Sequence, residues 1–379
     1  MLLTEEHLLI QESVRTLADK VIRPYAQTWA QEKIFPKAAL EALASAGFMG
    51  MLVPEEWGGS NVDCLAYVLA IIELAKADGA ISTIVSVHNS IAMLPILKFG
   101  TTMQKELFLT PLARGQQLGA FCLTEPQAGS DAAHLETKAV QHGDAYVLNG
   151  VKQFVTSGQH ADIAIVFAQT TAHQGEKQNI TAFIVPTHTP GFHVSKIEQK
   201  MGQQASEIAQ IVFEDLRIPA SYQLGHPGEG YKIALSNLEC GRLGIAAQAI
   251  GMAEEALRLS IQYAQERKTF GKFLFEHQAI SFKLADMATE LEAAKQLLYH
   301  AAQLHDANQS CIKEASMAKL FATEAAEKIC RHAIQIYGGY GYLQDFPLER
   351  IYRDVRVTSI YEGTSDIQRL IIGRELIRH

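Results

Sequence analysis

The sequence predicts a mainly helical α+β protein in three parts: a helical N-terminal domain (1–116), a central antiparallel β-barrel (117–226) and a C-terminal four-helix bundle (227–379). Three observations predict it. Apolar residues recur at three-to-four spacing as far as Arg114, the period shortens to two between Leu118 and Phe213, and long helical periods return after Gly230. A length of 379 residues, 48% apolar and 20% charged, supplies several cores' worth of apolar side chains in the proportions of a globular protein.

In the first part Leu8, Leu9, Val14, Leu17 and Val21 trace one helix face, and Pro24, Pro36, Gly47 and Gly58-Gly59 divide the run into about five helices. The stretch Val62–Lys76 is apolar on nearly all sides and is expected to be buried. His88 and Asn89 interrupt a similar run, where a hydrogen-bonded core pair is expected.

In the second part Asp144–Thr156 alternates about an Asn149-Gly150 pair, a strong hairpin signal. Strand-like runs follow at 163–169, 180–185, 193–197 and 210–213, spaced as in a small antiparallel barrel or sandwich. Pro227–Gly230 closes this region. Helical segments over 231–267, 278–307 and 312–337, with a short helix from Ser365, read as a bundle.

A net charge of −8 argues against a nucleic-acid partner. The longest unbroken apolar run, Cys64–Ile72, is short of the roughly 20 residues of a bilayer span, so no membrane insertion is expected. The acidic start MLLTEEHLLIQESV lacks the basic region of a leader, and a cytoplasmic location is expected. Cysteines 64, 122, 240, 311 and 330 form no C-x-x-C pair and are expected as buried small hydrophobes, with neither disulfide nor metal.

The chemistry converges on Ile351–Arg374. Glu362 lies in an apolar turn, next to Gly363 and ahead of a helix with Ser365 as N-cap and Gln368 at N3. Exclusion of water by Tyr361 and its aliphatic neighbours raises a carboxylate's pKa toward neutrality, which suits a general base for a carbon-bound proton. A solvated loop Glu is the competing account. Glu239, near Arg242 on the first bundle helix, is a rival base, or half of a buried ion pair.

Three further segments offer ligand contacts. Phe121–Asp131 (FCLTEPQAGSD) brings a hydroxyl, a turn and a Gly129-Ser130 pair to the entry of the β region, and Phe154–Thr156 sets an aromatic face beside a hydroxyl. Glu266–Gly271 (ERKTFG) and Gln335–Gly341 (QIYGGYG) place cations and Gly-rich backbone at two helix exits. A plain turn or helix stop remains the simpler reading of each.

As a set, TEPQAGSD at 124–131, ERKTFG at 266–271, QIYGGYG at 335–341 and IYEGTS at 360–365 resemble the acyl-CoA dehydrogenase family along the whole chain. The resemblance implies the three-part architecture above, bound FAD, and a homotetramer built as a dimer of dimers. It places the catalytic base on Glu362 and acyl-CoA contacts on Gly363, Ser130, Glu239, Arg242 and Arg374. It places flavin contacts on Phe121, Leu123, Thr124, Gly129, Ser130, Phe154, Thr156, Thr364 and Asp366. Arg267, Thr269, Gln278, Gln335 and Gly339 match positions that hold the FAD of the adjacent subunit.

The implied reaction is α,β-dehydrogenation of a short-chain or branched short-chain acyl-CoA, with electrons passed to an electron-transfer flavoprotein. Glu239 replaces a usual Asp, Phe121 and Phe154 a common Tyr and Trp, and Gln204 a frequent Arg. Gly241 replaces the base of the isovaleryl-type branch and disfavours that branch. An acyl-CoA oxidase, for which the chain is short, and a catalytically silent flavin or acyl-CoA binder are the alternatives.

Overall fold

The computed structural model describes residues 3–170 and 179–377. Its first part holds α1 (Glu5–Val21), α2 (Ala26–Glu32), α3 (Lys37–Ser45), α4 (Cys64–Ala77) and α5 (Gly79–Val87). After a π turn over His88–Ala92 come α6 (Met93–Phe99), α7 (Thr102–Gln104), a second π turn over Lys105–Leu109, and α8 (Thr110–Ala113). The helices are shorter and more numerous than the spacing predicts, because π turns interrupt periods that read as continuous.

Side-chain caps open α1 and α4. Thr4 accepts the His7 N–H at 3.2 Å in a capping box, and Asp63 caps α4 through the Ala66 N–H at 2.7 Å. The run Gly79–Phe99 is long and apolar enough to cross a membrane, yet 94% of its apolar window is buried inside the protein. It is a core helix. The pair at its kink is satisfied as expected: His88 Nδ1 accepts the Gly119 N–H and Nε2 donates to the Leu112 carbonyl, while Asn89 bonds Met51, Phe48 and Val85. Burial holds His88 neutral by pushing its pKa down to about 4.

The middle part is a single sheet of β1 (Gly119–Cys122), β2 (Lys138–His142), β3 (Ala145–Thr156), β4 (Ile163–Thr170), β5 (Asn179–Pro186), β6 (Phe192–Ile197), β7 (Ile208–Pro219) and β8 (Gln223–Leu224). Its order is β6-β7-β3-β2-β4-β5-β8, with β1 beside β4. The sheet is mixed where an antiparallel one was expected, because β4 runs parallel to both β1 and β2, and no closed barrel is found among the described residues. β4 reads as a near-continuous apolar run because it is covered on both faces. Ile163, Ile165 and Phe167 pack against α6 and α8, and Ala164, Val166 and Ala168 pack against β3 and β7 side chains.

The Asn149-Gly150 hairpin is also corrected. The turn between β2 and β3 falls at Gly143-Asp144, and Asn149-Gly150 sits inside β3 at a bulge opposite β7. Gly150 is required there: at φ 153 a Cβ would meet Thr137 Oγ1 at 2.5 Å and Thr137 Cα at 2.6 Å.

The last part contains α9 (Gly230–Ser236), α10 (Leu238–Glu266), a small ribbon of β9 (Lys268–Thr269) and β10 (Lys272–Phe273), α11 (Gln278–Asp306), α12 (Ile312–Tyr337), α13 (Pro347–Val355) and α14 (Ser365–Ile377). The segment read as one helix over 231–267 breaks at Asn237. There Ser236 Oγ and Asn237 Nδ2 both take the Ile233 carbonyl, at 3.0 and 2.7 Å, and compete with the backbone. One core joins α1, α3, α4 and α5 to α10–α13, so the two helical parts share their interior, with α4 packed on α10 at its centre. All five cysteines are buried and unpaired.

Candidate active site

The site lies where α10, α12 and the loop between α13 and α14 meet. That loop is fixed by buried charge. Arg350 of α13 bonds Asp78 at 2.9 Å, Asp354 accepts the Gln203 N–H, and the Gln203 Nε2 amide donates to the Asp354 carbonyl at 3.1 Å and to the Tyr361 hydroxyl at 3.3 Å. Tyr361 in turn donates to Gln248 of α10, whose amide also bonds the Gly79 carbonyl at 2.7 Å. Tyr361 thus anchors the turn from inside as well as excluding water.

The backbone then turns left-handed twice, Glu362 at φ 51 and Gly363 at φ 90. A non-glycine residue in this region is strained and persists only where its surroundings hold it. Two donors do so: Lys319 Nζ and Gln368 Nε2 each reach the Gly363 carbonyl at 2.9 Å, and Gln368 Nε2 also reaches the Glu362 carbonyl at 3.2 Å. The cap of α14 differs from expectation. Thr364, not Ser365, accepts the Ile367 N–H at 3.3 Å, and Gln368 holds the two carbonyls ahead of the helix instead of closing a capping box.

The turn delivers the Glu362 carboxylate into the interior, where both oxygens are buried without a hydrogen-bond partner. A buried, unpartnered carboxylate is costly, and burial pushes its pKa up to about 7 against the opposing pull of Lys319 and Arg242. The space it occupies is opened by Gly241: a Cβ there would lie 2.0 Å from Glu362 Oε2 and 3.3 Å from Ile91 on the π turn. Arg242 is 6% exposed with its Nε unpartnered. Glu239 makes no ion pair with Arg242 among the described residues and instead accepts from Cys311 Sγ at 3.7 Å. The rival carboxylate therefore has a partner, while both Glu362 oxygens have none among the described residues.

The other expected contacts fall into two groups. Phe121, Leu123, Thr124, Gly129, Ser130, Phe154 and Thr156 gather at the edge of β1 and β3. Their loop is held by a buried ion pair, Lys152 to Glu125 at 2.7 Å, with Lys152 also on the Leu123 carbonyl and Glu125 on the Glu136 and Thr137 N–H groups. Thr124 accepts the Gln153 N–H at 2.8 Å. Phe154, at φ 58, leaves its ring 62% exposed, and nothing lies within 4 Å of a Cβ built on Gly129. Ser157 bonds the Glu207 carbonyl, next to the Gln203 segment that holds Tyr361, and so links this edge to the Glu362 turn.

Arg267, Thr269 and Gly339 line a cleft of about 510 Å³ with Tyr263, Tyr337 and Tyr340, the Arg267 guanidinium lying 5.8 Å from the Tyr340 ring. Gln278 and Gln335 are exposed at the same end of the bundle. This group stands the length of α10 from Arg242, 25 residues or about 38 Å. The structure does not bring it to the Glu362 turn within one chain. Asp366 and Arg374 are exposed on α14, Asp366 3.6 Å from Arg369 and Arg374 3.6 Å from Glu375.

An exposed aromatic ring beside an open Gly-Ser turn fits the edge of a flavin, and a cation-lined aromatic cleft fits the diphosphate end of a dinucleotide. Lys319, Gln368 and Gln248 are parts of the site that motif reading does not find. Lys319 had a signal: it falls on the buried stripe of α12, one turn from Ala315 and Ala322, where a lysine is out of place.

Comparison with known proteins agrees with this arrangement. Residues 4–116, 120–216 and 228–377 match the acyl-CoA dehydrogenase N-terminal, middle and C-terminal domains. An acyl-CoA dehydrogenase of Bacillus subtilis is 48% identical over 377 residues, covering 100% of this chain and 99% of its own. The butyryl-CoA dehydrogenase structure from Megasphaera elsdenii superposes with a TM-score of 0.97 at 42% identity, over 100% of both chains. A glutaryl-CoA dehydrogenase from Mycobacterium smegmatis in complex with FADH2 superposes at 0.94 with 33% identity, over 100% of this chain and 96% of its own. With a buried carboxylate on its turn and a flavin-fitting edge beside it, the chain belongs to the acyl-CoA dehydrogenase family, FAD-dependent oxidoreductases acting on acyl-CoA.

Proposed function

We propose that the protein dehydrogenates a short-chain or branched short-chain acyl-CoA to the trans-2-enoyl-CoA, with Glu362 as the base. The observation that carries this is the Glu362 carboxylate: buried, without a protein partner, and poised near neutrality on a strained turn. A base of that pKa takes a proton at working pH and releases it again. Among the described residues no acceptor takes the Glu362 N–H, which leaves a donor for the thioester oxygen, and polarising that carbonyl acidifies the α-carbon. Similarity to a butyryl-CoA dehydrogenase supports the short chain.

Bound FAD would supply the acceptor for the β-hydrogen, as hydride, and the outlet for its electrons to an electron-transfer flavoprotein. Phe121 to Ser130, Phe154, Thr156, Thr364 and Asp366 would hold one flavin. Arg267, Thr269, Gln278, Gln335 and Gly339 would hold the flavin of an adjacent copy in a homotetramer. Two features support the oligomer: the distance of this second group from Glu362, and the exposure of Phe270 at 97%, Tyr342 at 83% and Phe282 at 59% beside it. A cytoplasmic location belongs to the same reading.

The test is anaerobic flavin bleaching with butyryl-, isobutyryl-, 2-methylbutyryl-, octanoyl- and palmitoyl-CoA. Glu362→Gln is expected to keep FAD and lose nearly all bleaching. Wild-type-like bleaching in that variant removes Glu362 from the role, and oxygen consumption without an electron carrier converts the reading to an oxidase.

A further inference from the structure

We propose that Lys319 is a positioning residue for this reaction: its buried ammonium clamps the Gly363 carbonyl and sets a positive charge beside the Glu362 carboxylate. The inference deepens the dehydrogenation reading and rests on it.

Lys319 has no solvent exposure, on a helix face otherwise made of Ala315, Ser316, Ala318, Ala322 and Thr323. A lysine is placed there at the expense of its hydration, and an apolar side chain of like length would fill the position more cheaply. Its burial is not offset by an ion pair, since no carboxylate lies within 4 Å of its nitrogen among the described residues. Its Nζ makes a single bond, to the Gly363 carbonyl at 2.9 Å, and an ammonium carries three donors. The residue it grips is the second of two consecutive left-handed residues, and the first of these is Glu362.

The clamp has a second jaw. Gln368 Nε2 meets the same carbonyl at 2.9 Å and the Glu362 carbonyl at 3.2 Å. Gln368 holds geometry without charge; Lys319 adds charge. The groups facing the Glu362 carboxylate are Lys319 from α12, Arg242 and Cys240 from α10, Tyr67 from α4 and Tyr361 from its own turn. Of these, Lys319 and Arg242 are the ones that favour its ionised form. Arg242 also feels Glu239, an attraction, and Arg374, a repulsion. Lys319 is anchored to the base's own turn through the Gly363 carbonyl.

The sign follows directly. Removing a cation from beside a buried carboxylate disfavours the charged form, so the acidic limb of kcat/KM moves to higher pH. Burial lowers the Lys319 pKa to about 8, so the ammonium is still charged where Glu362 titrates near 7, and a nearby charge in a protein interior moves a pKa by about one unit or more. Lys319→Gln keeps an N–H donor for Gly363 without the charge. It is expected to show a limb raised by about one unit, with activity about fivefold down at pH 7 and recovering toward alkaline pH. Lys319→Arg keeps the charge and is expected to hold the wild-type limb at a lower plateau. Gln368→Leu removes a donor but no charge; its plateau is expected to fall with the limb unmoved.

The experiment is the pH profile of the anaerobic reductive half-reaction with butyryl-CoA for wild type and these variants, with flavin content and thermal melting recorded for each. A Lys319→Gln limb at the wild-type pH, with the rate lowered equally at every pH, overturns the charge role and leaves a structural lysine. A limb that moves as far in Lys319→Arg as in Lys319→Gln overturns it as well. Should Lys319→Gln not fold, the Arg and Leu variants still decide: a raised limb in either refutes the division between charge and geometry. Failure of the function reading looks different, because wild type would then fail to bleach with any thioester, or Glu362→Gln would bleach as wild type does.

Discussion

Gly241→Ala tests the site's geometry with a single methyl group. The built Cβ lies 2.0 Å from Glu362 Oε2 and 3.0 Å from its Cδ, while ordinary contact begins near 3.4 Å, so the carboxylate must retreat by about 1.4 Å. On the other side Ile91 Cγ2, at 3.3 Å, leaves the new methyl no room to lean away. Misplacing a reacting group by about 1 Å costs on the order of 10²-fold in rate. The fold has little reason to suffer, since alanine in a helix interior is favoured over glycine by about 1 kcal/mol and Glu362 can swing on its own rotamers. The expected variant is therefore as stable as wild type, flavin-loaded, and about a hundredfold slower in the reductive half-reaction. Stopped-flow bleaching measures this, with Gly373→Ala as control: that glycine is also helical, and nothing lies within 4 Å of its built Cβ. A Gly241→Ala rate within threefold of wild type would show that the carboxylate does not work from the position seen here.

Four other outcomes are expected. With Glu362 raised to about 7, kcat/KM climbs as pH rises toward neutrality and then levels. Because the folded state holds that proton more tightly than the unfolded chain does, stability loses a contribution as pH rises from the ordinary carboxylate range to about 7, and Glu362→Gln flattens that part of a melting-temperature profile. Lys152→Met strands Glu125 inside the sheet without its cation; about 3–5 kcal/mol of stability is lost, read by denaturant unfolding, and flavin content falls with it because this pair holds the 123–136 loop. Arg267→Ala is expected to weaken flavin retention and oligomer stability together, and unchanged flavin content after gel filtration, at any oligomer size, refutes the cross-subunit contact.

Why some of this was legible in the sequence and some was not turns on how far each signal reaches. The α12 period acts within a few residues, and the helix read over 312–337 appears in the structure at Ile312–Tyr337. Asn149-Gly150 misled because a dipeptide that favours positive φ serves a bulge as well as a turn, and Thr137, just ahead of β2, leaves room there only for a glycine. The antiparallel expectation failed for a related reason: alternation reports which strand faces are buried, not which way the neighbouring strand runs, and the parallel β1–β4 and β2–β4 pairs are set by long connections. Glu362 was found because its motif is local. Its environment was not, because the base is made by distant positions: a missing side chain at Gly241, a lysine at Lys319 and an amide at Gln248. Two of these three are visible only as anomalies, a glycine and a lysine on buried helix faces where leucine or alanine is the ordinary choice. An anomaly on a core stripe is therefore as much a pointer to chemistry as a motif in a loop, and in this chain the two kinds of signal meet at one carboxylate.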